Sequence, residues 1–466
     1  MTNAAPQGTI WDPARWGITL GSVALIFLAA MEALAVTTVM PVVSAELEGE
    51  RLYALAFSGT LATSVIGMVA AGGWSDRSGP RGPLFAAVAL FLLGLVVSGI
   101  AVDMDVFIAG RLIQGLGVGG QTVSLYVLIA RVYPRDQHGR IFAAFAAAWV
   151  VPSMVGPALA GAAAQFLHWR WAFLGVAALT ALSFLLLAVQ LRGVSMNRGG
   201  ETARDPSRDI PSLRAIGGRL LLSVVVAGAC VGAGFAAEVP PAAGWAIAGG
   251  CLLLIGVAIA PLLPTGTLRA RPGLPSVILM RGLVAGAFLS AEAFVPKLLM
   301  DRFAFTPVVA GLALTAAALA WSSASFVQGR YGDRIGSTAI VAISVALMAA
   351  GILSLLLVAV SGRDPWLVVV GWGVAGGGMG LVYPRLTVLT LAFSTPSEEG
   401  FNSSALSVSD ATGSAFAVAA SGLAFLAFPL AGSGFPAVFV AAAAVLALAL
   451  IPGLRIGDAE PLRAAR

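Results

Sequence analysis

The sequence is poor in charged residues, and above all in lysine. Only 11% of its 466 residues are charged, whereas a soluble protein carries about 25%. Lys297 is the only lysine and leucine follows it, so the Gly-Lys-Ser/Thr core of a P-loop is absent. The sequence therefore argues against a protein that draws energy from ATP bound at a P-loop.

Cysteine and histidine are equally scarce, at two residues each. Cys230 and Cys251 lie inside apolar runs and do not follow the pattern of a disulfide framework. His138 and His168 lie in polar segments far from both cysteines, so the sequence has no metal-ligand cluster. It also has no recognisable nucleophile–base pair. We therefore expect neither an enzyme nor a bound metal or cofactor.

Apolar residues are abundant instead. They make up 59% of the chain, and the mean hydropathy is +0.94. A membrane-spanning helix needs about 20 predominantly apolar residues, and the chain has fourteen suitable runs. They lie near residues 16–41, 52–73, 83–102, 106–130, 140–164, 171–191, 217–237, 243–263, 274–299, 306–328, 338–360, 366–392, 401–428 and 434–453. This pattern predicts an all-α integral membrane protein with fourteen transmembrane helices.

The spacing of these runs divides the chain into four parts. Residues 1–191 hold the first six runs, and residues 264–466 hold the last six. Residues 192–216 are the longest polar stretch and have the composition of a flexible linker. Residues 217–263 hold the two remaining runs. We expect two six-helix bundles with an extra helix pair between them, a 6+2+6 layout.

Arginine is distributed unequally between the two sides of the predicted membrane. If the N-terminus is cytoplasmic, loops and tails on that side carry 19 arginines, whereas the other side carries 5 basic residues. The positive-inside rule then predicts that both termini are cytoplasmic, in the cell membrane. The basic residues lie in short segments between apolar runs, so we expect no nucleic-acid partner.

One polar loop occurs twice in the chain. Residues 72–82 contain the pattern G-x-x-x-D-R-x-G around Asp76, and residues 329–336 repeat it around Asp333. The two aspartates are 257 residues apart, which is too long for a solenoid period. The repeat indicates that the chain consists of two related halves.

Three motifs resemble those of the major facilitator superfamily. The repeated loop resembles its motif A, and the run from Arg111 to Gly117 resembles motif B. Gly156, Pro157 and Gly161 match motif C, with Ala160 in place of a usual glycine. With fourteen helices, the chain is similar to the fourteen-helix drug:proton antiporters. The resemblance implies two pseudo-symmetric six-helix bundles, and motif C implies an exporter or antiporter.

The first apolar run carries a further motif of that family, an acid followed by proline nine residues later. Glu32 and Pro41 match this spacing, with glutamate in place of aspartate, and Leu34 replaces a usual threonine. Glu32 lies about 24 Å from the start of its helix at 1.5 Å per residue. A carboxylate at that depth must reach a cavity, find a partner or bind a proton. The alternative is an acid at the outer interface.

We predict a proton-coupling group of four residues: Glu32, Asp410, Glu292 and Arg111. The three acids lie in apolar runs, where charge is costly. Arg111 cannot lose its proton and needs a carboxylate partner, for which Glu32 is the candidate. The alternatives are an interhelical packing bond for Asp410, a rim salt bridge for Glu292 and snorkelling for Arg111.

Other polar and aromatic residues in the runs are candidates for a substrate cavity. These are Gln114, Tyr126, Trp149 and Trp321. Lipid contact or helix packing is the alternative for the aromatic residues. Arg281 and Arg385 lie near the cytoplasmic ends of their runs, so we expect them to snorkel to the interface. In the kinked, small-residue segment around Gly156 and Pro157, we expect close helix contact that closes one face of the cavity.

The repeated loops are predicted to act as a conformational latch. The latch residues are Asp76, Arg77, Gly79, Arg81, Asp333 and Arg334. A carboxylate is stabilised at a helix N-terminus, so we expect Asp76 near 400–403 and Asp333 near 139–141. Such contacts require a closed cytoplasmic side.

These patterns together predict a monomeric, proton-driven exporter of hydrophobic or amphipathic small molecules. Its partners would be the substrate, protons and the lipid bilayer. One alternative keeps the fold and changes the cargo to a lipid or cell-envelope metabolite. Another is a membrane sensor that transports nothing, although such a protein usually carries a soluble domain.

Overall fold

A computed structural model describes residues 15–192, 212–395, 398–428 and 433–457. Within these residues every regular element is a helix. Fourteen helical spans are long and apolar enough to cross a membrane. The predicted all-α membrane architecture is therefore confirmed.

Six spans make up the N-terminal bundle, and five of the six begin within four residues of the predicted runs. A 3-10 turn at Glu50–Leu52 leads into the second helix. The helices are α1 (Trp16–Glu46), α2 (Tyr53–Ser78), α3 (Arg81–Gly99), α4 (Met104–Val132), α5 (Arg135–Phe166) and α6 (Trp171–Arg192).

The extra pair consists of α7 (Leu213–Phe235) and α8 (Pro241–Ile259). Ser212 caps α7, because its side chain accepts a hydrogen bond from the Ala215 amide. The helix thus begins four residues before the predicted start at 217. Most of the predicted linker, residues 193–211, lies outside the described residues.

The C-terminal bundle also has six spans, two of them made of consecutive helices. Its helices are α9 (Leu274–Glu292), α10 (Val295–Phe303), α11 (Pro307–Ile335), α12 (Ser337–Ser361), α13 (Trp366–Ala392), α14 (Glu399–Ala427), α15 (Phe435–Leu448) and α16 (Leu450–Gly453). Helices α9 and α10 form one span, and α15 and α16 form another.

An even number of crossings brings both ends of the described chain to one face of the protein. We call this the terminal face and the opposite one the far face. The bundles contact each other mainly through α2 with α14 and α5 with α11. Helix α7 packs on both α2 and α14, so the extra pair lies along one seam between the bundles.

Candidate functional site

A buried ion pair lies inside the N-terminal bundle. Arg111 of α4 donates from Nη1 to Glu32 of α1, and both residues are 4% exposed or less. Arg111 also donates from Nε to the carbonyl oxygen of Ala56 on α2, at 3.0 Å, and from Nη1 to Gln114 Oε1, at 2.7 Å. The arginine thereby joins three helices. Gln114, expected to line the cavity, is fully buried in this cluster.

A second ion pair lies inside the C-terminal bundle. Arg281 of α9 donates from Nε to Asp410 Oδ2 of α14, at 2.8 Å. Its Nη1 also donates to the Tyr383 carbonyl oxygen at 2.9 Å and to Thr387 Oγ1 at 3.1 Å. The Tyr383 hydroxyl donates to the same carboxylate oxygen of Asp410. Asp410 therefore accepts two hydrogen bonds from groups on two other helices.

Arg281 does not snorkel as expected, because it is only 7% exposed and is bound to Asp410. Arg281, Tyr383 and Thr387 were missed as members of the site. A signal was available: Arg281 lies seven residues into α9 and Asp410 eleven residues into α14. Both helices start at the terminal face, so the two residues lie at similar depth, about 10 and 16 Å at 1.5 Å per residue.

The two pairs differ in their access to solvent. The Asp410 side chain is 18% exposed, against 4% for Glu32. Ser403 and Ser407 precede Asp410 by seven and three residues, so all three lie on one face of α14. Both serines are exposed. This polar stripe leads from the terminal face to Asp410.

Glu292, the third predicted acid, ends α9 near the far face. Its side chain is partly exposed. Among the described residues no arginine, lysine or histidine nitrogen lies within 4 Å of its carboxylate. The indole N–H of Trp372 lies beside it. The structure thus places Glu292 apart from both ion pairs.

The three aromatic cavity candidates occupy different environments. Trp321 packs edge-on against Phe288, with 5.5 Å between ring centroids, and lies 5.3 Å from the Tyr383 ring. It therefore adjoins the Asp410 cluster. Tyr126 and Trp149 are 46% and 48% exposed, and Tyr126 stacks on Phe145. Of these three residues, the structure brings only Trp321 next to one of the two ion pairs, in the part of the chain that it describes.

The motif around Pro157 forms a contact between the bundles. A methyl group added at Gly161 would lie 2.5 Å from the Pro307 carbonyl oxygen, and one added at Gly311 would lie 2.6 Å from that of Pro157. Only glycine permits α5 and α11 to approach so closely. Gly156 faces the other way, against the sulfur of Met31 on α1. This contact lies toward the far face.

Charged and aromatic groups add to the contact at the far face. Lys297 of α10 is 6% exposed, and its Nζ lies 3.2 Å from Glu50 Oε1 of the N-terminal bundle and 2.7 Å from Asp301 Oδ2. The ammonium also lies 5.4 Å from the Tyr53 ring and 5.7 Å from the Phe425 ring. Lys297, Glu50, Asp301, Tyr53 and Phe425 form what we call the lysine cage. The contacts of Lys297 with Glu50 and with Tyr53 join the two bundles, so the far face is closed here.

The repeated loops have matching backbone geometry at the terminal face. Gly79 and Gly336 follow α2 and α11, and both have φ of +85°, which favours glycine. An arginine from a neighbouring helix donates a hydrogen bond at the end of the helix that precedes each loop. Arg131 of α4 donates to the Ser75 carbonyl oxygen at 3.0 Å, and Arg385 of α13 donates to Asp333 Oδ1 at 2.8 Å.

Arg385 is thus bound within its bundle, to Asp333 and to Ser337 Oγ, and its guanidinium lies at the terminal-face loop that contains the exposed Asp333. Arg81 lies with its guanidinium 5.6 Å from the Phe85 ring. Asp76, Arg77 and Arg334 are exposed. The predicted contacts of Asp76 and Asp333 with helix starts in the opposite bundle require a closed terminal face, and they stay a prediction for that conformer.

Comparison with known proteins identifies the family. The sequence profile of the Major Facilitator Superfamily matches residues 23–296, more than half of the chain. This match and the fourteen apolar spans identify a multi-pass membrane transporter. The chain belongs to the Major Facilitator Superfamily.

Two kinds of relative support this assignment. The chain is 28% identical over 401 residues to a "probable multidrug-efflux transporter" of Mycobacterium tuberculosis, a match that covers 83% of this chain and 82% of the relative. It is 29% identical over 235 residues to an acurin A biosynthesis cluster MFS-type transporter of Aspergillus aculeatus, covering 49% of this chain and 41% of that protein.

Solved structures share the fold at low sequence identity. A POT family transporter in complex with 5-aminolevulinic acid superposes with a TM-score of 0.69 and 13% identity, covering 97% of this chain and 98% of that one. A D-xylose–proton symporter gives 0.63 and 15%, with coverage of 96% and 98%. At these identities the likeness concerns the fold alone.

Proposed function

We propose that the protein exports hydrophobic or amphipathic small molecules in exchange for protons, by alternating access between its two bundles. The observation that carries the proposal is the Glu32–Arg111 pair, buried deep in an apolar bundle. A buried ion pair contributes little to stability compared with apolar packing, so a role other than stability explains it. The M. tuberculosis relatives described as multidrug-efflux transporters support the choice of substrate.

The proton step follows from competition for the carboxylate. Arg111 holds Glu32 ionised while the far face is closed. When the far face opens, outer solution reaches the pair, and a proton competes with Arg111 for Glu32. A neutral Glu32 releases the arginine and permits the bundles to rearrange. Asp410 and Arg281 form an analogous pair with access to the terminal face.

The arginine distribution supports an orientation with the terminal face in the cytoplasm. The conformer described above then has its outer side closed by the lysine cage and the α5–α11 contact. Drug would enter from the cytoplasm or inner leaflet, and Asp410 would exchange protons with the cytoplasm. The latch would form in the opposite conformer, with Asp76 at the start of α14.

The test uses purified protein in proteoliposomes, with ethidium as substrate and a pH-sensitive dye. In the native protein, ethidium transport should be accompanied by proton movement in the opposite direction. Glu32→Gln should abolish both this proton movement and uphill transport, while ethidium still equilibrates downhill. Glu32→Asp, which keeps the carboxylate, is the matched control. Unchanged uphill transport by Glu32→Gln would remove Glu32 from the mechanism.

A lipid or envelope metabolite as cargo is the competing proposal. The segments between spans at the far face are short, for example residues 304–306 and 362–365, and provide no extended path for a large headgroup. Exchange of fluorescent phospholipid between leaflets, measured in the same proteoliposomes, tests it. Flipping that Glu32→Gln abolishes, together with no ethidium transport, would favour this cargo.

A further inference from the structure

Three arginines from two distant parts of the chain meet at the terminal face. Arg269 and Arg271 lie in the loop that joins the eighth and ninth spans, and Arg455 lies two residues after the last span. Arg455 donates from Nη1 to the carbonyl oxygens of Arg269, at 3.3 Å, and Ala270, at 3.2 Å. Its own carbonyl oxygen accepts a hydrogen bond from the Gly273 amide at 3.0 Å. We call Arg269, Arg271 and Arg455 the arginine cluster.

The loop that carries two of these arginines has a compact backbone. Its residues Gly266, Ala270 and Gly273 have positive φ angles of 91°, 48° and 83°. The Arg271 amide donates to the Gly266 carbonyl oxygen at 3.2 Å, which closes the loop on itself. Two residues of chain span at most about 7 Å, so the α-carbons of Arg269 and Arg271 lie within that distance. The folded loop therefore holds the positive charges close together.

No carboxylate balances this charge in the part of the chain that the structure describes. There, none of the three arginines has an acidic oxygen within 4 Å, whereas Arg111, Arg281 and Arg385 each have one. All three side chains of the cluster are exposed. Because like charges repel one another, an anion bound between the guanidinium groups would stabilise the cluster.

An exposed leucine directly precedes two of the arginines. Leu268 comes before Arg269 and is 48% exposed, and Leu454 comes before Arg455. At 83%, Leu454 is the most exposed large apolar side chain among the described residues, and it follows the end of the last span at Gly453. Apolar side chains beside cations at a membrane boundary suit a phospholipid, since acyl chains contact the leucines while the phosphate faces the guanidinium groups. A free inorganic anion would leave both leucines in water.

We propose that the arginine cluster, with Leu268 and Leu454, binds the phosphate headgroup of an anionic phospholipid in the leaflet at the terminal face. Guanidinium groups bind phosphate oxygens through paired, charge-assisted hydrogen bonds. The bound lipid links the end of the last span to the loop that joins the extra pair to the C-terminal bundle. The site is separate from both buried ion pairs, so the inference does not depend on the transported substrate or on protons.

The test titrates three probes onto the purified protein in detergent, and native mass spectrometry measures the bound fraction. Phosphatidylglycerol is anionic, phosphatidylcholine carries the same phosphate without net charge, and glycerol phosphate has no acyl chains. The native protein should bind phosphatidylglycerol at least about tenfold more tightly than either other probe. Arg269→Gln/Arg271→Gln/Arg455→Gln should weaken this binding at least about thirtyfold, because each arginine near a membrane surface contributes roughly a fivefold factor.

The matched control removes three arginines of the same face that lie outside the cluster, as Arg214→Gln/Arg219→Gln/Arg330→Gln. Arg214 and Arg219 lie on α7 and Arg330 lies on α11, and all three are exposed. The control has the same net charge as the test variant, and it should bind phosphatidylglycerol within about threefold of the native protein, because distant surface charges are screened. Equal weakening in both variants would mean diffuse attraction to the whole face and would overturn the proposal. Equal binding of phosphatidylcholine, or of glycerol phosphate, would overturn it as well.

If the triple variant of the cluster does not fold, phenylglyoxal modification of the native protein decides the matter. This reagent reacts with guanidinium groups, and peptide mass gives the extent of reaction at Arg269, Arg271 and Arg455. Phosphatidylglycerol in mixed micelles should protect these arginines, and phosphatidylcholine should not. Protection by both lipids or by neither contradicts the proposal.

Discussion

The two bundles each contain an arginine–carboxylate pair, yet the pairs are built for different surroundings. In the N-terminal bundle, Arg111 encloses Glu32 so completely that neither side chain is more than 5% exposed. In the C-terminal bundle, Arg281 shares Asp410 with the Tyr383 hydroxyl, and the carboxylate is 18% exposed. The two bundles thus contain the same type of interaction on non-equivalent helices and with different access to water. We infer that the halves take different parts in the transport cycle.

The largest expected difference between the pairs is in stability. Arg111→Gln leaves the Glu32 carboxylate without its partner in a dry site, which should cost about 3–5 kcal/mol. Arg281→Gln should cost clearly less, because Asp410 keeps Tyr383 and is reached by solvent. Unfolding in mixed micelles measures both. The double variant Glu32→Gln/Arg111→Gln should regain part of the unfolding free energy that Arg111→Gln loses. Equal losses for Arg111→Gln and Arg281→Gln would contradict the comparison.

The second expected difference is in the rate at which a water-soluble reagent reaches each ion pair. The experiment uses a background protein in which Cys230 and Cys251 are replaced by serine. In this background, Ser407→Cys, beside Asp410, should react with a charged methanethiosulfonate at least about tenfold faster than Thr60→Cys, because the reactive thiolate must be solvent-accessible. Thr60 is buried and donates to the Arg111 carbonyl oxygen. Mass spectrometry measures the labelling rates of the two cysteine variants. Similar rates at the two positions would mean that the pairs have equal access.

A smaller effect is expected from the tyrosine that is specific to the C-terminal pair. Tyr383→Phe removes one hydrogen bond to Asp410 and keeps the ring that packs on Trp321. The loss should be about 1.5–3 kcal/mol, the range for a hydrogen bond made to a charged group. Unfolding of Tyr383→Phe in the same micelles measures it. In the Asp410→Asn background, Tyr383→Phe should lower the free energy of unfolding by a smaller amount. If the loss is the same in both backgrounds, the contribution of Tyr383 to stability does not depend on Asp410.

The smallest effect is expected at Gln114, the neighbour of Arg111. Gln114→Leu loses the 2.7 Å bond to Arg111, but it also removes a buried Nε2 group that has no hydrogen-bond partner. An unsatisfied buried donor carries a desolvation cost of similar size to the net gain from a hydrogen bond. The change in unfolding free energy should therefore be within about 0.5 kcal/mol of zero. A loss near that of Arg111→Gln would make Gln114 essential to the pair.

The sequence contained enough information for the architecture and for half of the site. Fourteen apolar runs predict fourteen spans because a bilayer requires that length. Glu32 and Arg111 could be connected because each needs a partner of opposite charge at membrane depth. Arg281 was missed because its distance from the interface permits snorkelling in principle. Its contact with Asp410 depends on the packing of α9 against α14, two helices more than 100 residues apart, which hydropathy does not report.

The lysine cage has a practical consequence. Since Lys297 is the only lysine in the chain, it is the only side-chain amine on which an acylating dye can form an amide. Two carboxylates and two rings now surround that amine. Opening of the far face would separate it from Glu50 and Tyr53, and hence make it reactive. Acylation of the peptide that contains Lys297, measured apart from acylation of the N-terminal amine, thus reports the fraction of time that the far face is open, without engineered cysteines.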